Sequence, residues 1–288
     1  MDFTIVTPSF KQLDYLACCI ASVADQAGIT VEHLVQDGGT PGFDTFSKKM
    51  SELWPDRPGY RRIMISEKDQ GMYDAINRGL KNAQGKICAY LNCDEQYLPG
   101  ALAKVSSKFE ANPAVEVFLG DVIVVGLDGS PICFRKMVRP GLAHTWTCHF
   151  AALTAGIFFR RKIIDQGMCF DTSYRAAADA EWFVRILRSG LCVGLLGSAT
   201  SSFMEAGNNL GLSSTALAER ERLTRSAPSW MRRLRPWWVL WHRIRRLATG
   251  AQIANDLTYE IYLPDRPHRN LVLAKKLRTT WPGRMWGY

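Results

Sequence analysis

No apolar run in this 288-residue chain approaches the length of about 18 residues that a membrane-spanning helix needs. No GxGxxG follows the first apolar stretch and no GxxxxGK[ST] occurs, so the usual dinucleotide and P-loop cradles are missing. The eight cysteines form no CxxC pair and no zinc spacing. Several sit inside apolar runs, which predicts reduced thiols in a cytoplasmic protein. The opening MDFTIVTPSF has an early acid and a strand where a signal peptide has a basic region and then an apolar one. Repeats and low-complexity segments are lacking. Acid is scarce in one region only: residues 228–288 hold three Asp/Glu against 12 Lys/Arg, whereas residues 1–227 hold 24 of each. The net charge of +9 therefore belongs to a basic appendage on a neutral body.

A hydrophobic fraction of 47% in a chain of this length is enough for a full core. Short β-branched runs alternate with helical periodicity. FTIVT (3–7), VEHLVQ (31–36), RIMIS (62–66) and KICAYL (86–91) read as strands, with helices near 12–25, 44–53, 71–83 and 99–111. Four such units predict an α/β fold with a mostly parallel central sheet and flanking helices. VEVFLGDVIVV and PICFRK add mixed or antiparallel strands, and 176–189 a further helix.

Chemistry-bearing residues recur where these strands end: TPSF (7–10), QDGG (36–39), SEKDQGMYDAINRG (66–79) and LNCDE (91–95). A buried strand that ends in two acids, Asp94 and Glu95, must deliver them to water, a cation or a donor. In open α/β sheets that edge is where ligands bind. Each segment singly has a plain structural use, as a helix cap, a turn or a solvated face. Their joint occurrence in this order favours one cleft.

Taken together, TPSFKQ, QDGGTPGFDT, SEKDQGMYDAINRG, LNCDE and AADAEWFVRIL resemble the family 2 glycosyltransferases, and most closely their bacterial surface-polysaccharide branch. The late FMEAGNNLGLSS (203–214) resembles that family's GG-S segment. The resemblance covers residues 2 to about 214 and implies a GT-A catalytic domain over 1–214. It implies a nucleotide-sugar donor carrying UDP, GDP or dTDP, a glycan or lipid-linked glycan acceptor, and Mg²⁺ or Mn²⁺ as cofactor. Asp94 then matches the metal ligand of the D-x-D segment and Glu95 is a second contact. Asn92 stands where the family often has Asp, and Cys93 is a small space-filler beside the donor. Pro8, Ser9, Asp37, Asp69, Tyr73, Asp74 and Asn77 match positions around the nucleotide and donor sugar. Asp179 matches the catalytic base that takes the acceptor proton during inversion, with Glu181 as its rival in the same helical turn. His144 and His149 are candidates for the acceptor side.

The remainder, 215–288, reads as a basic, Trp-rich, helical extension. From Pro236, residues Trp237, Leu240, Trp241, Ile244, Leu247 and Ala248 share one arc, with His242, Arg243, Arg245 and Arg246 opposite. That pattern suits a helix lying on an anionic membrane, which would place the protein on the inner face of the cytoplasmic membrane. The competing reading is a helix packed on the body or on a second subunit. No nucleic-acid module accompanies the basic charge. Two other functions remain open at this point: a degenerate scaffold of the same fold, and a nucleotidyltransferase. TPSFKQ lacks the Gly-rich basic loop expected of the latter.

Overall fold

The computed structural model describes residues 1–205, 211, 213–264 and 266–281. The chain first alternates β1 (Phe3–Ser9), α1 (Leu13–Ala24), β2 (Val31–Asp37), α2 (Phe43–Leu53), β3 (Tyr60–Ser66), α3 (Met72–Lys81) and β4 (Ile87–Tyr90). It continues through β5 (Glu95–Tyr97), α4 (Ala101–Ala111), β6 (Val117–Val125), β7 (Pro131–Arg135), α5 (Leu142–Thr147) and β8 (Ile157–Arg160). Next come α6 (Lys162–Asp165), α7 (Ala178–Arg188) and β9 (Val193–Met204). The tail holds α8 (Ser214–Arg225), α9 (Ser229–Arg233), α10 (Arg235–Ala248), β10 (Asn255–Ile261) and β11 (Asn270–Leu277).

Nine strands form one sheet in the order β3-β2-β1-β4-β8-β6-β9-β5, with β7 paired to β6. β1 lies parallel to both β2 and β4, and β2 lies parallel to β3. β8 runs antiparallel to β4 and to β6. β1, β2, β4 and β6 are buried along their whole length, so their sequences read as continuous apolar runs and not as alternation. The register sets Ser9 beside Asp37 and Asp37 beside Ser66, so three strands finish level with one another. The loops that follow open on one edge. Gly79 lets α3 lie close on β1: a Cβ there would meet Val6 Cγ1 at 2.5 Å.

The tail is helical only through Ala248. Beyond it the extension ends in an antiparallel hairpin of β10 and β11, which periodicity did not indicate. The hairpin belongs to the body. Arg269 pairs with Asp25 at 2.6 Å, and the Tyr262 amide donates to Gln96 Oε1 at 2.8 Å. Leu98, Ile123, Val125 and Phe134 share a buried apolar cluster with Tyr259, Ile261, Ala274 and Leu277.

α1 and α10 are amphipathic in opposite senses. α1 buries Leu16, Cys19, Ile20 and Val23. α10 exposes Trp237 (64%), Trp241 (58%), Leu247 (62%), Leu240 and Ile244, while His242 and Arg246 are buried against the body. Among the described residues, the apolar arc of α10 thus faces outward. Among the described residues, no helix is long and apolar enough to cross a membrane.

Candidate active site

A cavity of about 1160 Å³ opens at the carboxyl edge of β1, β3 and β4. Pro8, Ser9, Gly38, Asp69, Tyr73, Asn92, Cys93 and Asp94 line one wall, and Asp179 with the start of α7 lines another. Eight of the residues expected at the site therefore meet around one space: Pro8, Ser9, Asp69, Tyr73, Asn92, Cys93, Asp94 and Asp179. Five do not line it: Asp37, Asp74, Asn77, Glu95 and Glu181.

Those five have other partners. Asp37 accepts hydrogen bonds from the Gly39 and Thr40 amides (3.0 and 2.7 Å) and from the Thr40 and Ser66 hydroxyls (both 2.7 Å). Its carboxylate closes the β2 turn onto β3, while its neighbour Gly38 faces the cavity. A Cβ on Gly38 would stand 3.0 Å from Asp69 Oδ2, so the missing side chain leaves room for Asp69. Asp74 caps the Gln70 amide and pairs with Arg78 at 2.7 Å. Asn77 clips the backbone of Phe170 through two hydrogen bonds of 2.8 and 3.0 Å, fixing the segment that leads to α7. Much of the SEKDQGMYDAINRG segment is scaffold that holds Asp69 and Tyr73 in place.

Glu95 is fully buried, and it accepts from the Asn92 amide at 2.8 Å and from the Thr154 hydroxyl at 3.4 Å. Burial, with the charge of Asp94 added, raises its pKa to about 8. Burial raises Asp94 to about 6, and the charge of Glu205 adds to the rise. Glu205 lines the cavity because β9 runs beside β5, where the Met204 amide meets the Asp94 carbonyl at 3.4 Å. Sequence reasoning missed it. It stands in FMEAGNNLGLSS one residue past a strand, and residues 206–210 and 212 of that segment lie outside the described residues. Cys93 donates to Gln12 Oε1 at 2.9 Å and otherwise fills space with Leu16, Val35 and Phe43.

Asp179 is held at the first turn of α7. Its Oδ1 accepts from the Tyr73 hydroxyl at 3.2 Å and from the Ala180 amide at 2.8 Å. Burial raises its pKa, partly offset by these hydrogen bonds and by Arg220, which also lines the cavity. Glu181 points elsewhere and grips Arg185 through both carboxylate oxygens, at 2.8 and 3.0 Å to Nε. The loop before α7 is fixed from the tail: Glu219 of α8 accepts from the amides of Arg175, Ala176 and Ala177 at 2.6, 2.8 and 3.0 Å. A carboxylate there also suits the positive end of the helix. His149 lines the cavity and His144 is buried behind it.

Strand ends that carry acids thus share one cavity with a helix start that carries another, in an α/β domain. The chain belongs to glycosyl transferase family 2, whose model matches residues 4–165. It is 27% identical over 233 residues to a PGL/p-HBAD biosynthesis glycosyltransferase of Mycobacterium bovis (strain BCG / Pasteur 1173P2), covering 77% of this chain and 83% of that one. An uncharacterized glycosyltransferase of Mycobacterium tuberculosis (strain CDC 1551 / Oshkosh) is 30% identical over 188 residues, covering 63% and 67%. Among solved structures, S. aureus TarS 1–349 in complex with UDP-GlcNAc superposes with a TM-score of 0.61 at 15% identity, over 86% of this chain and 73% of that one. The mannosyltransferase PcManGT from Pyrobaculum calidifontis, in complex with GDP-Man and Mn²⁺, gives 0.53 at 16% identity, over 86% and 79%. The architecture is the GT-A fold expected from the sequence.

Proposed function

We propose that this chain transfers a sugar from a nucleotide-diphosphate donor to an acceptor hydroxyl, with inversion at the anomeric carbon. The observation that carries the reading is one cavity with Asp94 on its strand-end wall and Asp179 on its helix-start wall. The donor sits against Pro8, Ser9, Asp69 and Tyr73. Ser9 Oγ and Asn92 Oδ1 are buried without hydrogen-bond partners among the described residues, as expected of groups that an outside ligand completes.

The acidic corner suits Mg²⁺ or Mn²⁺. Asp94, Asn92 and Glu205 offer oxygen ligands, which hard cations prefer, and Asp94 is the proposed principal one. When bound, such an ion offsets the charge of the departing diphosphate. The UDP-GlcNAc and GDP-Man/Mn²⁺ complexes of the two structural neighbours support this donor class. Asp179 takes the acceptor proton on the face opposite the leaving group. Its raised pKa makes it a stronger base for a hydroxyl, and the Tyr73 hydroxyl aims it. The ion pair of Glu181 with Arg185 supports giving that role to Asp179.

The acceptor is a lipid-linked glycan met at the inner face of the cytoplasmic membrane, as in surface-polysaccharide assembly. The outward apolar arc of α10 supports this, with the exposed side chains of Arg232, Arg233 and Arg235 at its start for anionic lipid. Two assays test the reading. Release of nucleoside diphosphate from UDP-, GDP- and dTDP-sugars should require Mn²⁺ or Mg²⁺ and stop with a chelator. No release and no metal-dependent thermal shift with any donor would contradict it. Flotation with anionic vesicles should be lost in Trp237→Ser/Trp241→Ser, two exposed positions whose change leaves the fold intact. A wild-type chain that never floats removes the membrane role.

A further inference from the structure

We infer that His144, His149 and His242 form a transition-metal site, of the zinc class, that ties α10 to the wall of the cleft. Their ligand nitrogens lie within 4.8 Å of one another, although His242 is about a hundred residues away in sequence. The α5 turn brings the first two together: the Cys148 and His149 amides both donate to the His144 carbonyl, at 2.9 and 3.3 Å. α10 then lays His242 against His144 with ring centroids 4.2 Å apart, and His149 stands 4.5 Å from His144. His144 Nε2 is buried with no hydrogen-bond partner among the described residues.

The donor set decides the class of ion. Three imidazoles without a carboxylate in the cluster suit Zn²⁺ and its neighbours, not Mg²⁺ or Ca²⁺. Tetrahedral zinc with bonds of about 2.0 Å needs its ligand nitrogens about 3.3 Å apart, so the rings close by on the order of 1 Å through side-chain rotation. Arg135, Arg220, Arg245 and Arg246 surround the cluster. Their charge opposes a bare dication and favours an anion or hydroxide in the fourth position, which His149 places at the cavity. The site would fasten α10, whose apolar face is turned outward. It stands whether or not the cleft transfers sugar.

The test uses the full chain, stripped with a chelating resin and titrated with Co²⁺ and Zn²⁺. One equivalent of Co²⁺ should give visible absorption bands of a four-coordinate ion, displaced by Zn²⁺. Zn²⁺ should raise the Tm by several degrees, because it binds only the folded state. Both signals should survive in Asp94→Ala and vanish in His242→Ala. Should His242→Ala fail to fold, His144→Gln serves in its place. Equal Co²⁺ uptake and equal bands in wild type and in the folded His variant would overturn the proposal, as would their absence from wild type.

Discussion

The strand-end wall and the helix-start wall of the cleft each carry an acidic pair, and each wall divides its pair in the same way. After β4, Asp94 faces the cavity while Glu95 turns into the core and holds the Asn92 amide. On α7, Asp179 faces the cavity while Glu181 turns away and holds Arg185. On α7, residues two apart stand about 200° apart, which separates Asp179 from Glu181; Asp94 lies in the turn that leads into β5, and Glu95 is the first residue of that strand. One acid of each pair is free to meet a ligand, and the other fastens the element that presents it. The walls differ in what aims the free acid. Asp94 has a second carboxylate, Glu205, beside it, an arrangement that attracts a cation. Asp179 has a hydroxyl, Tyr73, and a guanidinium, Arg220, an arrangement that orients a base.

If the walls divide labour in this way, damage to each should have a different signature. Asp94→Ala should have the largest effect: metal-dependent nucleotide binding lost and turnover down on the order of a thousandfold, with an unchanged circular dichroism spectrum. Intact metal-dependent affinity would take Asp94 out of the donor wall. The pH dependence of the same wall is next. A protonated Asp94 cannot ligate metal, so metal-dependent nucleotide affinity should fall about tenfold per pH unit below about 6, as calorimetry would measure.

Tyr73→Phe probes the helix wall. Turnover should fall about tenfold with little change in donor affinity. Because the Tyr73 hydrogen bond lowers the Asp179 pKa, its loss should move the acidic limb of the rate–pH profile to higher pH. A limb that stays in place would separate Tyr73 from the base. The smallest effect concerns the hidden partner Glu95. Its raised pKa means that its stabilisation is fully present below 4.5 and is lost as pH rises through about 8. Glu95→Gln stays neutral throughout, so near pH 9 it should be more stable than wild type by on the order of 1 kcal/mol. Near pH 5 the two melting curves should converge.

Much of this was readable in the sequence, unevenly. The parallel units were legible because strands buried on both faces are uninterrupted apolar runs, as in FTIVT and ICAY, and their helices carry a 3.6-residue stripe. The location of the cleft was legible because chemistry-bearing residues gather where those runs end. Which of them face it was not. Asp37, Asp74 and Asn77 share a segment type with Asp69 and Tyr73, yet their side chains close a turn, cap a helix and clip Phe170. Such roles depend on partners up to 93 residues away, which a local pattern does not contain. Glu205 was hidden for the same reason, since only the pairing of β5 with β9 brings it near Asp94. The amphipathic pattern of α10 was plain, but periodicity is silent on which face turns inward. Burial of His242 and Arg246 settles that in the structure.

The division between the walls is tested most directly by measuring donor affinity and turnover together in Asp179→Asn and Glu181→Gln. In Asp179→Asn, nucleotide-sugar affinity with Mn²⁺ should stay within about twofold of wild type while turnover falls at least a hundredfold, the mark of an interaction made in the transition state. Glu181→Gln should keep most of its turnover, since its carboxylate serves Arg185. Loss of turnover in Glu181→Gln with full activity in Asp179→Asn would contradict the account.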